Sequence, residues 1–244
     1  MVLTTFRRRE KKFLITEAQF RFLLERLEEY TNPDPYCTSD RGYDIFNLYF
    51  DTDCDEIIRR SVEKPVYKEK LLIRSYGVPK SPETKIFFEL KKKLQGVVFK
   101  RRAVMTWNEV AAFLKDRTRP ENCSYLNGIV LDEIEMFLSR HPGAYPKIFV
   151  GYERLAFFAK DDPEIRVTFD RNIRTRRDHV NLTDGLLGEP LLDEGTVLME
   201  IKISESIPRW MMKLFSEAKI YRTSFSKYGR EYERKVFNES GSSF

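Results

Sequence analysis

The chain has 244 residues, 41% of them hydrophobic and 14% aromatic, enough apolar material for a sizeable core and too much for a disordered segment. Charged residues make up 33%, but the net charge is only +5, an excess that carries meaning only where it is concentrated. Three widely spaced cysteines without CxxC spacing point to free thiols in a reduced, cytoplasmic setting; with only His141 and His179 present a zinc site is not expected, and no apolar run reaches signal-peptide or membrane-span length.

In chain order, residues 6–15 are predicted as a strand. Thr16 caps a predicted helix from Glu17 to Tyr30, whose stripe is Phe20, Leu23, Leu24 and Leu27. A loop at 31–41 contains Asn32-Pro33-Asp34-Pro35, and a strand follows at 43–51. Strands are predicted at 66–76, 84–94 and 97–105, with a break at Gly77 to Pro82 and a tight turn at Gln95-Gly96. Helices at Trp107–Lys115 and Tyr125–Ser139 come next, the second closed by His141-Pro142-Gly143. Strands at 147–159, 163–171 and 195–203 surround a polar linker at 177–194. Ser206 is expected to cap a helix beginning near Pro208. Residues 223–237 read as a tail carrying Ser226-Lys227-Tyr228, and 239–244 as a disordered end to a single domain spanning 1–238. Hairpin-linked strands without βαβ alternation predict an α+β fold built on an antiparallel sheet.

Six of the predicted strands place charged residues, mostly Lys and Arg, at alternate positions: Arg8-Glu10-Lys12, Lys68-Lys70-Leu72-Arg74, Glu89-Lys91-Lys93, Lys100-Arg102, Arg166-Thr168-Asp170 and Glu200-Lys202. Alternate residues of a strand share a face. The opposite faces are apolar, as in Ile86-Phe88-Leu90 and Val197-Met199-Ile201-Ile203. One such row is an ordinary solvated face; six with the same bias predict a sheet closed around a cavity for a polyanion, because buried cations need partners. Phosphate chains suit it, since Arg grips two oxygens at once and Lys supplies a movable point charge. Glu200-x-Lys202 is either an internal ion pair or a carboxylate for a divalent metal that Glu10 could share. Glu89 is expected to orient Lys91 or Arg102. No GxxxxGK[ST] loop, recognition helix, RNP-type aromatic motif, Gly-x-Ser-x-Gly or Cys/His nucleophile pattern is present, so phosphate chains are favoured over nucleic acid.

These residues resemble the VTC domain, the polyphosphate-polymerising domain of the vacuolar transporter chaperone complex and its stand-alone bacterial relatives, within the triphosphate tunnel metalloenzymes. The resemblance runs from about residue 5 to 237. Its ordered motifs are Arg8 to Phe13, Asn47 to Asp51, Lys68 to Gly77, Glu89 to Lys93, Val98 to Arg102, Tyr152-Glu153-Arg154, Ile165 to Asp170, Met199 to Lys202, and Phe225 to Tyr228. It implies an eight-stranded antiparallel barrel forming a tunnel, with helices packed outside. It also implies phosphate contacts from Lys12, Lys70, Arg74, Lys91, Lys100, Arg102, Arg154, Arg166, Lys202 and Lys227, joined by Arg8 and Lys93 of the basic rows. Lys12, Arg74, Lys91, Arg154, Arg166 and Lys227 form the expected catalytic set. Glu200, with Glu10 beside it, is the expected ligand of Mn²⁺ or Mg²⁺.

The implied reaction transfers the γ-phosphoryl group of ATP to a growing inorganic polyphosphate chain and releases ADP. A tunnel triphosphatase and a non-catalytic polyphosphate-binding module are the alternatives. Tunnel triphosphatases of the CYTH type open with Glu-x-Glu-x-Lys; Arg8 stands where their first Glu would be, which favours the polymerase branch. Leu72 departs from the pattern too, since close relatives commonly carry Arg there. ATP and polyphosphate are the expected partners, nucleic acid is not, and a membrane protein receiving the polymer would place the chain peripherally at the inner face of a membrane. Oligomeric state is not legible.

Overall fold

The computed structural model describes residues 9–95, 97–203 and 206–241. Its strands are β1 (Arg9–Thr16), β2 (Thr31–Pro33), β3 (Tyr43–Asp51), β4 (Tyr67–Tyr76), β5 (Lys85–Leu94), β6 (Val97–Thr106), β7 (Tyr145–Ala159), β8 (Arg166–Arg176), β9 (Glu189–Pro190) and β10 (Thr196–Ile203). Its helices are α1 (Glu17–Tyr30), α2 (Glu56–Val62), α3 (Trp107–Asp116), α4 (Tyr125–Arg140), α5 (Arg209–Glu217) and α6 (Lys227–Gly241). Hydrogen bonding orders the strands β1-β10-β8-β7-β3-β4-β5-β6, with β2 on β7 and β9 on β8. The antiparallel, sheet-rich α+β fold is as expected. The described pairing is an open path ending at β1 and β6, so it does not amount to a closed barrel.

The chain divides into two compact units, with boundaries that fall within β3, β7, β8 and β9. In the first (residues 1–44, 152–173 and 190–226) β10 lies between β1 and β8. Phe13, Phe169, Val197, Met199 and Ile201 supply the apolar side of this sheet, and α1 and α5 cover it with Phe20, Leu23, Leu27, Met211 and Leu214. Helix α1 begins at a full capping box: the Thr16 side chain accepts from the Gln19 amide, and Gln19 reciprocates on the Thr16 amide. Gly42 sits at φ +75°, and a Cβ there would lie 2.0 Å from the Arg154 carbonyl oxygen. Only glycine allows the two backbones to approach this closely.

In the second unit (45–151, 174–189 and 227–244) β3, β4, β5 and β6 pair in sequence, each neighbour antiparallel. Ile86, Phe88 and Leu90 pack against Phe113 of α3 and Ile134 and Phe137 of α4. A Thr106–Glu109 capping box starts α3, and Ser124 caps α4.

Several predicted boundaries move. Helix α5 has Pro208 as its N-cap with no side-chain cap, so Ser206 does not play that part. Strand β8 runs from Arg166 to Arg176, later than the predicted 163–171. Helix α2 falls where no element was predicted: the buried Asp51 carboxylate, at the end of β3, accepts from the Ile57 and Ile58 amides and caps it across the intervening turn. The stretch read as a tail is α6, which reaches Gly241; Tyr228 docks it by donating its hydroxyl to Asp51. The Gly96 half of the predicted Gln95-Gly96 turn lies outside the described residues, while Gln95 has φ +47°.

Candidate phosphate-binding site

Each unit gathers its cations about a carboxylate. In the first, register sets Lys12 opposite Glu200, Glu10 opposite Lys202, Glu200 opposite Thr168, and Lys202 opposite Arg166. These six therefore share the face turned away from α1 and α5, which is the alternation predicted from the sequence. The Lys12 ammonium lies 3.2 Å from Glu10 Oε1 and 3.2 Å from Glu200 Oε1, and donates to the Phe225 carbonyl at 3.0 Å.

Arg154 is buried and gripped by Asp170: Nε donates to Oδ1 at 2.6 Å and Nη2 to Oδ2 at 2.7 Å, while Nη2 also reaches Glu200 Oε2 at 3.4 Å. Burial opposes the guanidinium charge, but Asp170, then Tyr152 and Glu200, hold its pKa well above the usual value. Asp170 thus fixes a fork whose Nη1 end lies outside these bonds. Arg166 donates through Nη2 to Asp34 at 2.8 Å and to the Tyr43 hydroxyl at 2.9 Å, while its buried Nε has no hydrogen-bond partner. Burial pushes the Lys202 amine down to about 8; Arg154 and Arg166 push the same way, and Glu10 and Glu200 oppose them.

In the second unit, Lys70, Lys91 and Lys100 stand directly opposite one another across β4, β5 and β6. The next row is Leu72, Glu89 and Arg102, and the row beyond begins with Arg74 opposite Phe87. From Lys68 to Arg74, Phe87 to Lys93 and Val98 to Val104, this face carries seven cations and one carboxylate. Glu89 is fully buried, and its Oε1 receives Lys100 at 2.8 Å, Arg102 Nε at 2.9 Å and Arg74 Nη1 at 3.7 Å. Burial opposes ionisation, yet Arg74, Lys100, Lys91 and Arg102 hold the carboxyl far below the usual range. Its Oε2 is buried without a hydrogen-bond partner.

Asn47 positions Arg74: its Oδ1 accepts from Arg74 Nε at 2.8 Å, while its Nδ2 donates to the Val150 carbonyl at 2.8 Å. Lys70 lies over the Tyr228 ring, its ammonium 5.4 Å from the centroid, and Arg102 lies over Phe87 at 4.3 Å. Lys100 is 39% exposed, but desolvation of its amine, against the pull of Glu89 and with the push of Arg74, Arg102 and Lys91, lowers it to about 6. Like charges directly opposite in a sheet are destabilising, so an anion laid along a row of three lysines would relieve them.

Of the sequence-predicted residues, the first unit brings together Lys12, Arg154, Arg166, Lys202, Glu10 and Glu200. The second brings together Lys70, Arg74, Lys91, Lys100 and Arg102 around Glu89. Lys93 is exposed, opposite Lys68 and Val98. Lys227 opens α6 just before Tyr228. Arg8 lies outside the described residues. Glu89 orients Arg102 as expected, together with Lys100 and Arg74. Asp170 and Asn47, in the roles of partners to Arg154 and Arg74, were not legible in the sequence, nor were Asp34 and Tyr43 as partners of Arg166. Their alternation marked a face, but only cross-strand register shows who meets whom.

Among the described residues no group of three or more His, Cys, Asp or Glu could enclose a metal. Glu10 and Glu200, both against the Lys12 ammonium, form a two-carboxylate donor set. That set fits Mg²⁺ or Mn²⁺ only in the mode where phosphate oxygens and water complete the shell. No helix among the described residues is long and apolar enough to cross a membrane.

The fold is similar to a crystal structure described as a "putative adenylate cyclase" from Bacillus halodurans, with a TM-score of 0.54 over 89% of this chain and 92% of that one. Identity is 14%, so the likeness is one of fold. No curated protein matches the chain. The family model described as VTC domain matches residues 7–235, nearly the whole length and every strand that carries the cationic rows; the chain belongs to the VTC domain family.

Proposed function

We propose that the protein is a polyphosphate polymerase that moves the γ-phosphoryl group of ATP onto the end of a growing polyphosphate chain and releases ADP. The observation that carries this is the Lys70–Lys91–Lys100 row, backed by Arg74 and Arg102 and with Glu89 in the next row. A chain of phosphates can spread its oxygens along such a row.

Phosphoryl transfer needs little covalent help from a protein, and catalysis is mostly positioning and charge stabilisation. Arg154 and Arg74, locked by Asp170 and Asn47, offer guanidinium groups that need no reorganisation when charge spreads over the moving phosphoryl oxygens. Lys12, Lys91, Lys100, Lys202 and Lys227 add movable charges, with Arg166 and Arg102 as planar donors. The attacking group is a terminal phosphate, already anionic near neutral pH, so no general base is required. Glu200, assisted by Glu10, would hold Mn²⁺ or Mg²⁺, which neutralises phosphate oxygens when bound.

Purified protein incubated with ATP and Mn²⁺, with products resolved on a gel, tests the proposal. Long polyphosphate with stoichiometric ADP is expected. Orthophosphate without polymer would replace the polymerase with a triphosphatase, and unconsumed ATP would leave a binding module. Lys91→Ala and Lys202→Ala should each weaken tripolyphosphate binding; undiminished binding by either variant would remove that lysine from the phosphate contacts.

A further inference from the structure

The end of the sheet where β5 hands over to β6 has no protected face. Register pairs Tyr67 with Leu94 and Leu94 with Val97, so these three, with Phe99, lie toward one side of the strands; Val98, opposite Lys93, lies toward the other. All five are exposed, and so is Val66, which precedes β4 and accepts from the Gln95 amide through its carbonyl. Val66 is 66% exposed and Val98 61%. Apolar side chains bared on both faces of one strand end cannot be covered by one flat protein partner. A medium that surrounds the end can cover them.

The charges nearby set the character of that medium. Lys64, Lys68 and Lys93 lie close enough that, after burial, Lys93 and Lys64 both lower the Lys68 amine. The acids of this region are largely engaged: Glu69 by Arg140 and the Tyr67 hydroxyl, Glu133 by Lys92 and Arg101, with Glu63 beside Lys64 in sequence. Pairing with a second copy along β6 is disfavoured further along the strand, where the Asn127 side chain already takes both the amide and the carbonyl of Val104.

We propose that this strand end inserts into the interfacial layer of an anionic lipid bilayer, with Val66, Val98 and Phe99 among the acyl boundary and Lys64, Lys68 and Lys93 against the headgroups. Apolar insertion combined with a few lysines is the balance that gives reversible peripheral binding. The inference is independent of the polymerase reaction and is tested without ATP.

Co-sedimentation with phosphatidylcholine vesicles, alone or mixed with phosphatidylglycerol, measures it directly. Binding to the mixed vesicles is expected, and little to phosphatidylcholine alone. Val66→Asp with Val98→Asp should lower the apparent affinity more than tenfold with unchanged circular dichroism, and Lys64→Glu about fivefold or more. Absence of binding to either vesicle would overturn the proposal. Undiminished binding by the double variant would assign the attraction to the phosphate-binding cations instead, and a concentration-dependent dimer abolished by the same variant would assign the surface to a second copy.

Discussion

Arg154 touches two carboxylates, and their removal should have different consequences. Asp170 is fully buried and holds the guanidinium by two short bonds. Asp170→Asn leaves a buried charge poorly paired, and urea unfolding should show a loss of about 3–5 kcal/mol. Glu200 is buried as well, between Lys12 and Arg154, but Lys12 keeps Glu10 and Arg154 keeps Asp170 when it is removed. Glu200→Ala should therefore cost less, about 1–3 kcal/mol, while metal-dependent turnover falls about a hundredfold or more. Retained turnover would remove Glu200 from the mechanism. At Leu72, opposite the unpartnered Oε2 of Glu89, an arginine would meet a waiting acceptor as well as the cationic row. Leu72→Arg should raise tripolyphosphate affinity about tenfold, one charge-assisted hydrogen bond being worth about 1.5–3 kcal/mol; calorimetry showing no change would mean Leu72 is not a lost contact. At this scale the sequence showed which residues are charged and which face they share. Asp170 is 16 positions from Arg154 and Asn47 is 27 from Arg74, distances that alternation within one strand cannot bridge.

The lysine row across β4, β5 and β6 behaves as an element in its own right. Desolvation draws the Lys100 amine down to about 6 against the pull of Glu89; a bound anion favours the charged form, so binding is expected to take up protons. Calorimetric titration with tripolyphosphate in two buffers of different ionisation enthalpy should show that uptake near pH 7, and Lys100→Met should abolish it. Above about 8 Lys202 gives up its proton, and affinity should weaken further. For folding the sign is opposite: both amines release protons more readily when folded than at their ordinary 10.5, so their contribution to stability rises with pH, from about 6 for Lys100 and from about 8 for Lys202, toward 10.5. The C-terminal helix is held by Tyr228 on Asp51, by Glu231 on Arg177 and by Lys235 on Asp55. Tyr228→Phe leaves Asp51 its amide donors but frees the start of α6, and should cost about 1.5–3 kcal/mol, with earlier proteolysis of the last turns. Amphipathic α1 was legible from its apolar stripe and its Thr16 cap, while the Gln19 half of the capping box emerges from the structure. Helices α2 and α6 were not, because α2 is only seven residues long and α6 is secured by residues far away in the sequence, among them Asp51, 177 positions from Tyr228.

For the whole molecule, sheet-rich architecture and family were legible because the basic rows recur on nearly every strand. The strand order was not, since β10 inserts between β1 and β8 and no local signal announces that neighbour. Nor does composition reveal the charge pattern: a net +5 conceals a face of seven cations and one acid. Tripolyphosphate at a hundred times its Kd should stabilise the fold by about 2.7 kcal/mol, which for a chain of this size raises Tm by about 5–10 °C; sulfate at the same ionic strength should do less. A face so rich in cations will collect polyanions during expression. Protein taken from cells, denatured and examined by phosphorus NMR, is expected to release phosphoanhydride chains it acquired before lysis, and extended dialysis against high salt should be needed before its apparent appetite for added ligand reaches one equivalent.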